Sequence, residues 1–194
     1  MVGAIIIIVT SLFLVRQSSF DSSTVLRSLA YSVALSMRQA QVYGISVTGT
    51  TTSTGVVYAS GYGLYFNASA PNIYILFADL NSDGKYSPGE DVQAFTLSSA
   101  YRVSELCALG TTLKNCSGVD DQSGNPISTL SVIFRRPNPD ACISTDKDPG
   151  VCGPGVLQPF GSAYIQITSA GGTARSITVS SSGSIVTQAP NTLP

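Results

Sequence analysis

The chain has 194 residues, enough for one domain with a sizeable core, and its net charge of −1 gives no overall electrostatic bias towards nucleic acid or anionic lipid. Only 11% of residues are charged, against about a quarter in ordinary soluble domains, and Ser, Thr and Gly fill the deficit. Histidine is absent and glutamate occurs only at Glu90 and Glu105, which excludes histidine triads, histidine zinc sites and the usual general base near neutral pH.

The first 15 residues, Met1 to Val15, carry no charge and are closed by Arg16. At a rise of about 1.5 Å per residue they cover about 23 Å, short of the roughly 30 Å bilayer core, and so read as the back half of a membrane span. No basic residue precedes the segment and no small-residue cleavage site follows it, which argues against a complete secretory signal peptide. Ile5, Ile6, Ile8, Val9, Leu12 and Phe13 are the candidate packing positions of this segment. Weak helix formers at residues 17–24 predict a kink or a melted turn. Leu26, Leu29, Val33, Met37 and Ala40 then recur at spacings of three or four, predicting a helix with one buried stripe, and Gly44 is the expected stop through a left-handed conformation. The expected organisation is an apolar segment over residues 1–21, a globular domain over 22–188 and a loose tail over 189–194.

Strand-like pieces follow at Ile45 to Val47, Thr54 to Tyr58, Gly63 to Phe66, Ile73 to Phe77, Val92 to Leu97, Leu130 to Phe134, Ala163 to Thr168, Ser176 to Val179 and Ser184 to Thr187. The last three are joined by hairpin-type connections. A long N-terminal helix followed by these strands predicts an α+β roll, with the helix stripe lying across one antiparallel sheet. Cys107, Cys116, Cys142 and Cys152 fall in segments that read as loops. Their even number suggests disulfides, and nearest-neighbour pairing is the simplest of three connectivities. Neither pair has zinc-ligand spacing.

The sharpest motif runs from Asp79 to Glu90. Counted from Asp79, oxygen ligands stand at positions one (Asp79), three (Asn81) and five (Asp83), glycine at six (Gly84) and glutamate at twelve (Glu90), the arrangement of an EF-hand calcium loop. Lys85 would offer its carbonyl, Ser87 a hydroxyl or a bridging water, and Tyr86 takes the position that points to the core. A strand precedes the loop and Pro88 interrupts its end, which favours a static structural calcium over a switch. The competing reading is a polar hairpin loop held by turn hydrogen bonds.

On the apolar helix, its continuation Ser28 to Gly44, the segment Tyr74 to Glu90 and the final hairpin ending at Gly183 to Thr187, the chain resembles the type IV pilin-like proteins, most similar to the minor pseudopilins of type II secretion and related minor pilins. The family's basic leader, Gly-Phe cleavage point and early glutamate are missing, and sequence resembling the second half of that signal begins at Met1, which puts the expected start upstream. The resemblance implies a non-enzymatic structural subunit of a type IV pilus or pseudopilus. It would be held first in the inner membrane and then packed against other pilin or pseudopilin subunits by its helix, with the globular part exported. The alternative is a membrane-anchored, calcium-dependent surface-binding module using Tyr58, Tyr62 and Tyr101. Nucleic-acid binding is not expected, because Arg135 and Arg136 are the only adjacent basic pair and read as a solvated loop entry. Asp120, Asp121, Asp146 and Asp148 read as turn residues rather than as catalytic pairs.

Overall fold

The computed structural model describes residues 2–46, 49–52, 55–110, 114–118, 126–147 and 159–189. One helix, α1 (Val2–Ile45), is followed by twelve strands among the described residues: β1 (Gly49–Thr52), β2 (Gly55–Tyr58), β3 (Gly61–Asn67), β4 (Ile73–Asp79), β5 (Asp91–Thr96), β6 (Tyr101–Leu109), β7 (Lys114–Cys116), β8 (Thr129–Arg135), β9 (Ala141–Thr145), β10 (Ser162–Ser169), β11 (Ala174–Ser180) and β12 (Ile185–Gln188). The protein is therefore mainly β, which corrects the expected α+β roll of a helix on one sheet. Two five-stranded antiparallel sheets form, in the orders β5-β4-β3-β8-β9 and β12-β11-β10-β6-β7, beside a β1-β2 ribbon.

The second sheet escapes a sequence reading because its pivot, β6, does not look like a strand. Its residues YRVSELCAL mix charged, small and apolar types, yet β6 pairs with β10 along its length and with β7 at its end. Without β6, the C-terminal hairpins have no sheet of their own to join. Similarly, β9 was hidden by its cysteine in a Pro/Asp-rich setting, although all five of its residues are buried. Ile45, expected to open a strand, instead closes the helix.

Helix α1 touches both sheets, through β3 and β8 on one side and β10, β11 and β12 on the other. Leu26, Ala30, Val33, Met37 and Ala40 are fully or almost fully buried and join Leu64, Phe66, Leu76, Val132, Phe134, Ile165, Ile177 and Val179 in one core. The helix is continuous through residues 17–24, so the expected kink is absent. Neighbouring residues tolerate these weak helix formers because propensity differences of a few tenths of a kcal/mol each are easily overridden by context. Gly44 has a different role from the one expected. It does not adopt a positive φ, but a Cβ built on it would lie 2.2 Å from the Phe134 carbonyl oxygen, so β8 runs directly against the helix backbone here.

A buried hydrogen bond of 3.2 Å joins Ser36 on the helix to the Tyr74 hydroxyl on β4. Burial raises the Tyr74 phenol above its ordinary value of 10.0, partly offset by the hydrogen bonds to Ser36 and Ser32. A phenol that ionises less readily when folded loses stability for the fold as pH rises past 10, where the unfolded chain begins to ionise. Tyr74→Phe is expected to cost stability at pH 7, through the lost hydrogen bond, and to narrow that deficit steadily in chemical denaturation between pH 9.5 and 11. A deficit independent of pH would show that Tyr74 does not couple folding to alkaline titration.

Cys107 and Cys116 are directly opposed on β6 and β7 and form a disulfide. This pairing agrees with the expected one, although the cysteines stand on strands rather than in loops. Cys142, on β9, is also disulfide-bonded. Its expected partner, Cys152, lies outside the described residues, as do Asp120, Asp121, Asp148 and residues 190–194.

Candidate metal centre in the β4–β5 loop

The loop from Asp79 to Glu90 connects two antiparallel neighbours, and both of its terminal carboxylates are buried: Asp79 is 0% exposed and Glu90 5%. Asp79 is the last residue of β4, where the strand fixes its side chain under the loop. Its Oδ2 accepts a hydrogen bond from the Gly84 backbone N–H at 3.2 Å, and Gly84 has φ 79°, the sharp turn expected at that position. Asn81 Oδ1 accepts from the Asp83 N–H at 3.0 Å, and Asp83 Oδ1 accepts from the Lys85 N–H at 2.8 Å. The Asn81 amide also donates to Asp83 Oδ2 at 3.0 Å and to Ser87 Oγ at 3.4 Å.

Glu90 closes the loop from the other end. Its Oε1 accepts from the Leu80 and Asn81 N–H groups at 3.0 and 3.4 Å, and its Oε2 from the Ser87 N–H at 2.7 Å. Burial pushes this carboxyl above its ordinary value of 4.5, the three backbone donors pull it down, and the Asp79 charge nearby pushes it up again. Tyr86 packs on Tyr65 with ring centroids 4.4 Å apart and edge-on to Phe77 at 5.6 Å, and its hydroxyl donates to Asp91 at 2.7 Å. Burial and that donated hydrogen bond push its phenol up to about 12.

The partner of Asp79 is the residue that sequence reasoning missed. Arg135, expected in a solvated loop entry, ends β8 and forms an ion pair and hydrogen bond from Nη2 to Asp79 Oδ2. The two residues are two strands apart, with Gly61 of β3 directly between them: Gly61 pairs with Asp79 on one side and with Arg135 on the other. Two strand spacings amount to about 9.5 Å, a span a long guanidinium side chain can bridge only where nothing stands between. A Cβ on Gly61 would fall 2.6 Å from Arg135 Cγ, so the glycine is the opening through which the pair forms. No local sequence signal links positions 79 and 135; only the β4-β3-β8 register does.

The loop's oxygens are of the hard type that suits calcium, and Asp79 Oδ1 is buried without a hydrogen-bond partner. That orphaned oxygen is the feature a cation would satisfy. Most of the other carboxylate oxygens are engaged by N–H groups, and Arg135 supplies one positive charge at the site. Among the described residues, no three acidic groups of the loop converge on one point. The one convergent group of potential ligands is Glu105 with Cys107 and Cys116, whose sulfurs are consumed by their disulfide.

The aromatic candidates separate. Tyr58 is 64% exposed, Tyr101 is partly buried, and Tyr62 is 2% exposed, edge-on to Tyr43 in the core. Tyr62 is therefore unavailable to a surface ligand. Asp146 acts structurally, accepting from the Ser128 and Thr129 N–H groups at 2.8 and 3.1 Å. Of the apolar N-terminal positions, Ile6 is 58% exposed, while the side chains of Ile5, Ile8, Val9, Leu12 and Phe13 lie outside the description. Among the described residues, no helix is long and apolar enough to cross a membrane. No family model matches the chain, and comparison with curated proteins and with solved structures finds no match.

Proposed function

We propose that the chain is a structural subunit of a type IV pilus or type II secretion pseudopilus, a minor pilin or pseudopilin, assembled through α1. The observation that carries this reading is the division of the helix. It runs unbroken for 44 residues, about 66 Å, while its described buried side chains begin only near Leu26. Gly3, Ile6, Thr10 and Ser11 are exposed in the single chain. A stretch that is uncharged from Met1 to Val15, and whose described side chains are exposed, is suited to a membrane and then to the helices of neighbouring subunits. The globular half adds Tyr31, Leu35 and Val42, all more than half exposed and at helical spacing on the face turned away from the core.

Within this reading the Asp79 to Glu90 loop holds a structural calcium ion on the exported domain. Asp79, Asn81, Asp83, Ser87 and Glu90 would supply side-chain oxygens and Lys85 its carbonyl. Three carboxylates within twelve residues and the unpaired Asp79 oxygen support it. The ion's contribution is to join the loop's ends, not chemistry.

Ile6→Asp tests the assembly reading. Wild-type chain is expected to fractionate with membranes and, in neutral detergent, to self-associate in sedimentation. The variant should lose most of both while the melting temperature of its β domain is unchanged. A wild-type chain that stays monomeric and dissolved in buffer without detergent would overturn the proposal.

A further inference from the structure

A polar cleft of about 150 Å³ opens where α1 crosses the β11-β12 edge, lined by Arg27, Ala30, Tyr31, Arg175, Thr187 and Gln188 among others. Its charge is unusual in origin. Strand alternation puts Arg175 on the same face as Ile177 and Val179, both fully buried, and Thr187 sits directly opposite Ile177 on β12. An arginine thus occupies a core-facing position at the end of a strand. Arg27, Ala30 and Tyr31 lie one turn apart on the facing side of the helix. Two guanidinium groups line one small cleft with no carboxylate among its lining residues, and among the described residues neither has an ion-pair partner. Arg175 Nε is in addition buried without a hydrogen-bond partner.

Arg27 is exposed and Arg175 partly buried, so the cleft presents two positive charges to solvent and an anion seated in it is attracted by both. The neutral groups around them, the Tyr31 and Thr187 hydroxyls, can both donate. A carboxylate, with a single negative charge, would balance only one of the two guanidinium groups. A phosphate group, with three free oxygens and up to two negative charges, matches both the donor number and the charge. We propose that this cleft binds a phosphate group, with Arg27 and Arg175 as its charged ligands and Tyr31 and Thr187 as neutral donors. The phosphate is that of an anionic lipid headgroup or a free phosphate; the proposal is independent of the filament reading.

The test titrates inorganic phosphate into the full chain in neutral detergent by calorimetry, with sodium acetate in a parallel titration. Saturable phosphate binding is expected, weakened roughly tenfold or more in Arg27→Gln and in Arg175→Gln, since each removes a charge-assisted contact. Tyr31→Phe, at a half-exposed position that does not threaten folding, should weaken binding by a smaller factor, and Arg102→Gln, outside the cleft, should not. Partitioning onto phosphatidylcholine vesicles with and without phosphatidylglycerol separates the sources. A phosphatidylglycerol-dependent gain that the arginine variants lose and free phosphate competes away identifies the headgroup; equal partitioning of wild type and variants, with solution binding intact, identifies free phosphate. No saturable phosphate binding by the wild type, wild-type affinity in both arginine variants, or tighter binding of acetate than of phosphate would each overturn the assignment.

Discussion

Gly44→Ala is expected to destabilise the domain by roughly 3 kcal/mol or more, a fall of about 6–12 °C in melting temperature for a chain of this size. Helix propensity predicts the opposite sign, because alanine is favoured over glycine in a helix by about 1 kcal/mol. The structure decides between them. The new methyl group would stand 2.2 Å from the Phe134 carbonyl oxygen and 2.8 Å from its carbonyl carbon, both backbone atoms of the central region of a five-stranded sheet. Backbone cannot rotate out of the way as a side chain can. Either α1 lifts off β8, opening the core around Met37, Ala40 and Phe134, or the strand shifts and disturbs its pairing with β3 and β9. Thermal melting of the two proteins is the check, and an alanine variant as stable as the wild type would show that the helix does not approach β8 this closely.

The second large effect is expected at Arg135. Asp79 is fully buried, and its ion pair with Arg135 crosses the gap above Gly61. Removing one member of a buried pair leaves the other charge uncompensated, at a cost of about 3–5 kcal/mol. Arg135→Met in chelator should therefore unfold much more easily, while Asp79→Asn combined with Arg135→Met should recover a substantial part of the loss. Calcium adds a second axis. If the loop takes the ion, calcium should raise the melting temperature of the wild type and raise that of Arg135→Met more, since the ion then supplies the charge that the guanidinium no longer provides. Asp83→Ala should abolish the calcium response in both. Identical melting curves in calcium and in chelator for all of these proteins would return the loop to an ordinary hairpin connection held by Asn81, Asp83 and Glu90. A single variant Arg135→Met with wild-type stability would refute the buried pair itself.

Several parts of the fold were legible because their signals are local. The stripe from Leu26 to Ala40 follows helical geometry and is buried, apart from the partly buried Leu29. The hairpins from β10 to β12 have apolar alternation and Gly/Ser turns, and they pair as expected. The loop from Asp79 to Glu90 was visible from spacing alone, and its turn at Gly84 has the positive φ the motif requires. By contrast, β6 and β9 carry weak strand signals: β6 forms through a partner more than 50 residues later, β10, and β9 pairs back on its neighbour β8 across a Pro- and Asp-containing connection that reads as an extended loop. Those two omissions turned two sheets into one and turned a mainly β protein into a helix on a sheet. The role of Gly44 was misread for a related reason. Its position near the end of a helix suggests a cap, whereas its cause is a strand 90 residues later in the chain.

The sequence by itself determined which residues form the helix and its buried face, which turns close the C-terminal hairpins, and which oxygens cluster between Asp79 and Glu90. All of these are interactions between near neighbours, governed by spacing and by backbone preference. Only the tertiary structure decided that Arg135 neutralises Asp79, that Gly61 and Gly44 are small because another segment passes close by, and that Arg27 and Arg175 face one cleft. Those relations depend on strand register and on which helix face meets which sheet edge. A single-residue slip in register would exchange the faces of a strand and dissolve each of them, so no local pattern along the chain could have carried the information.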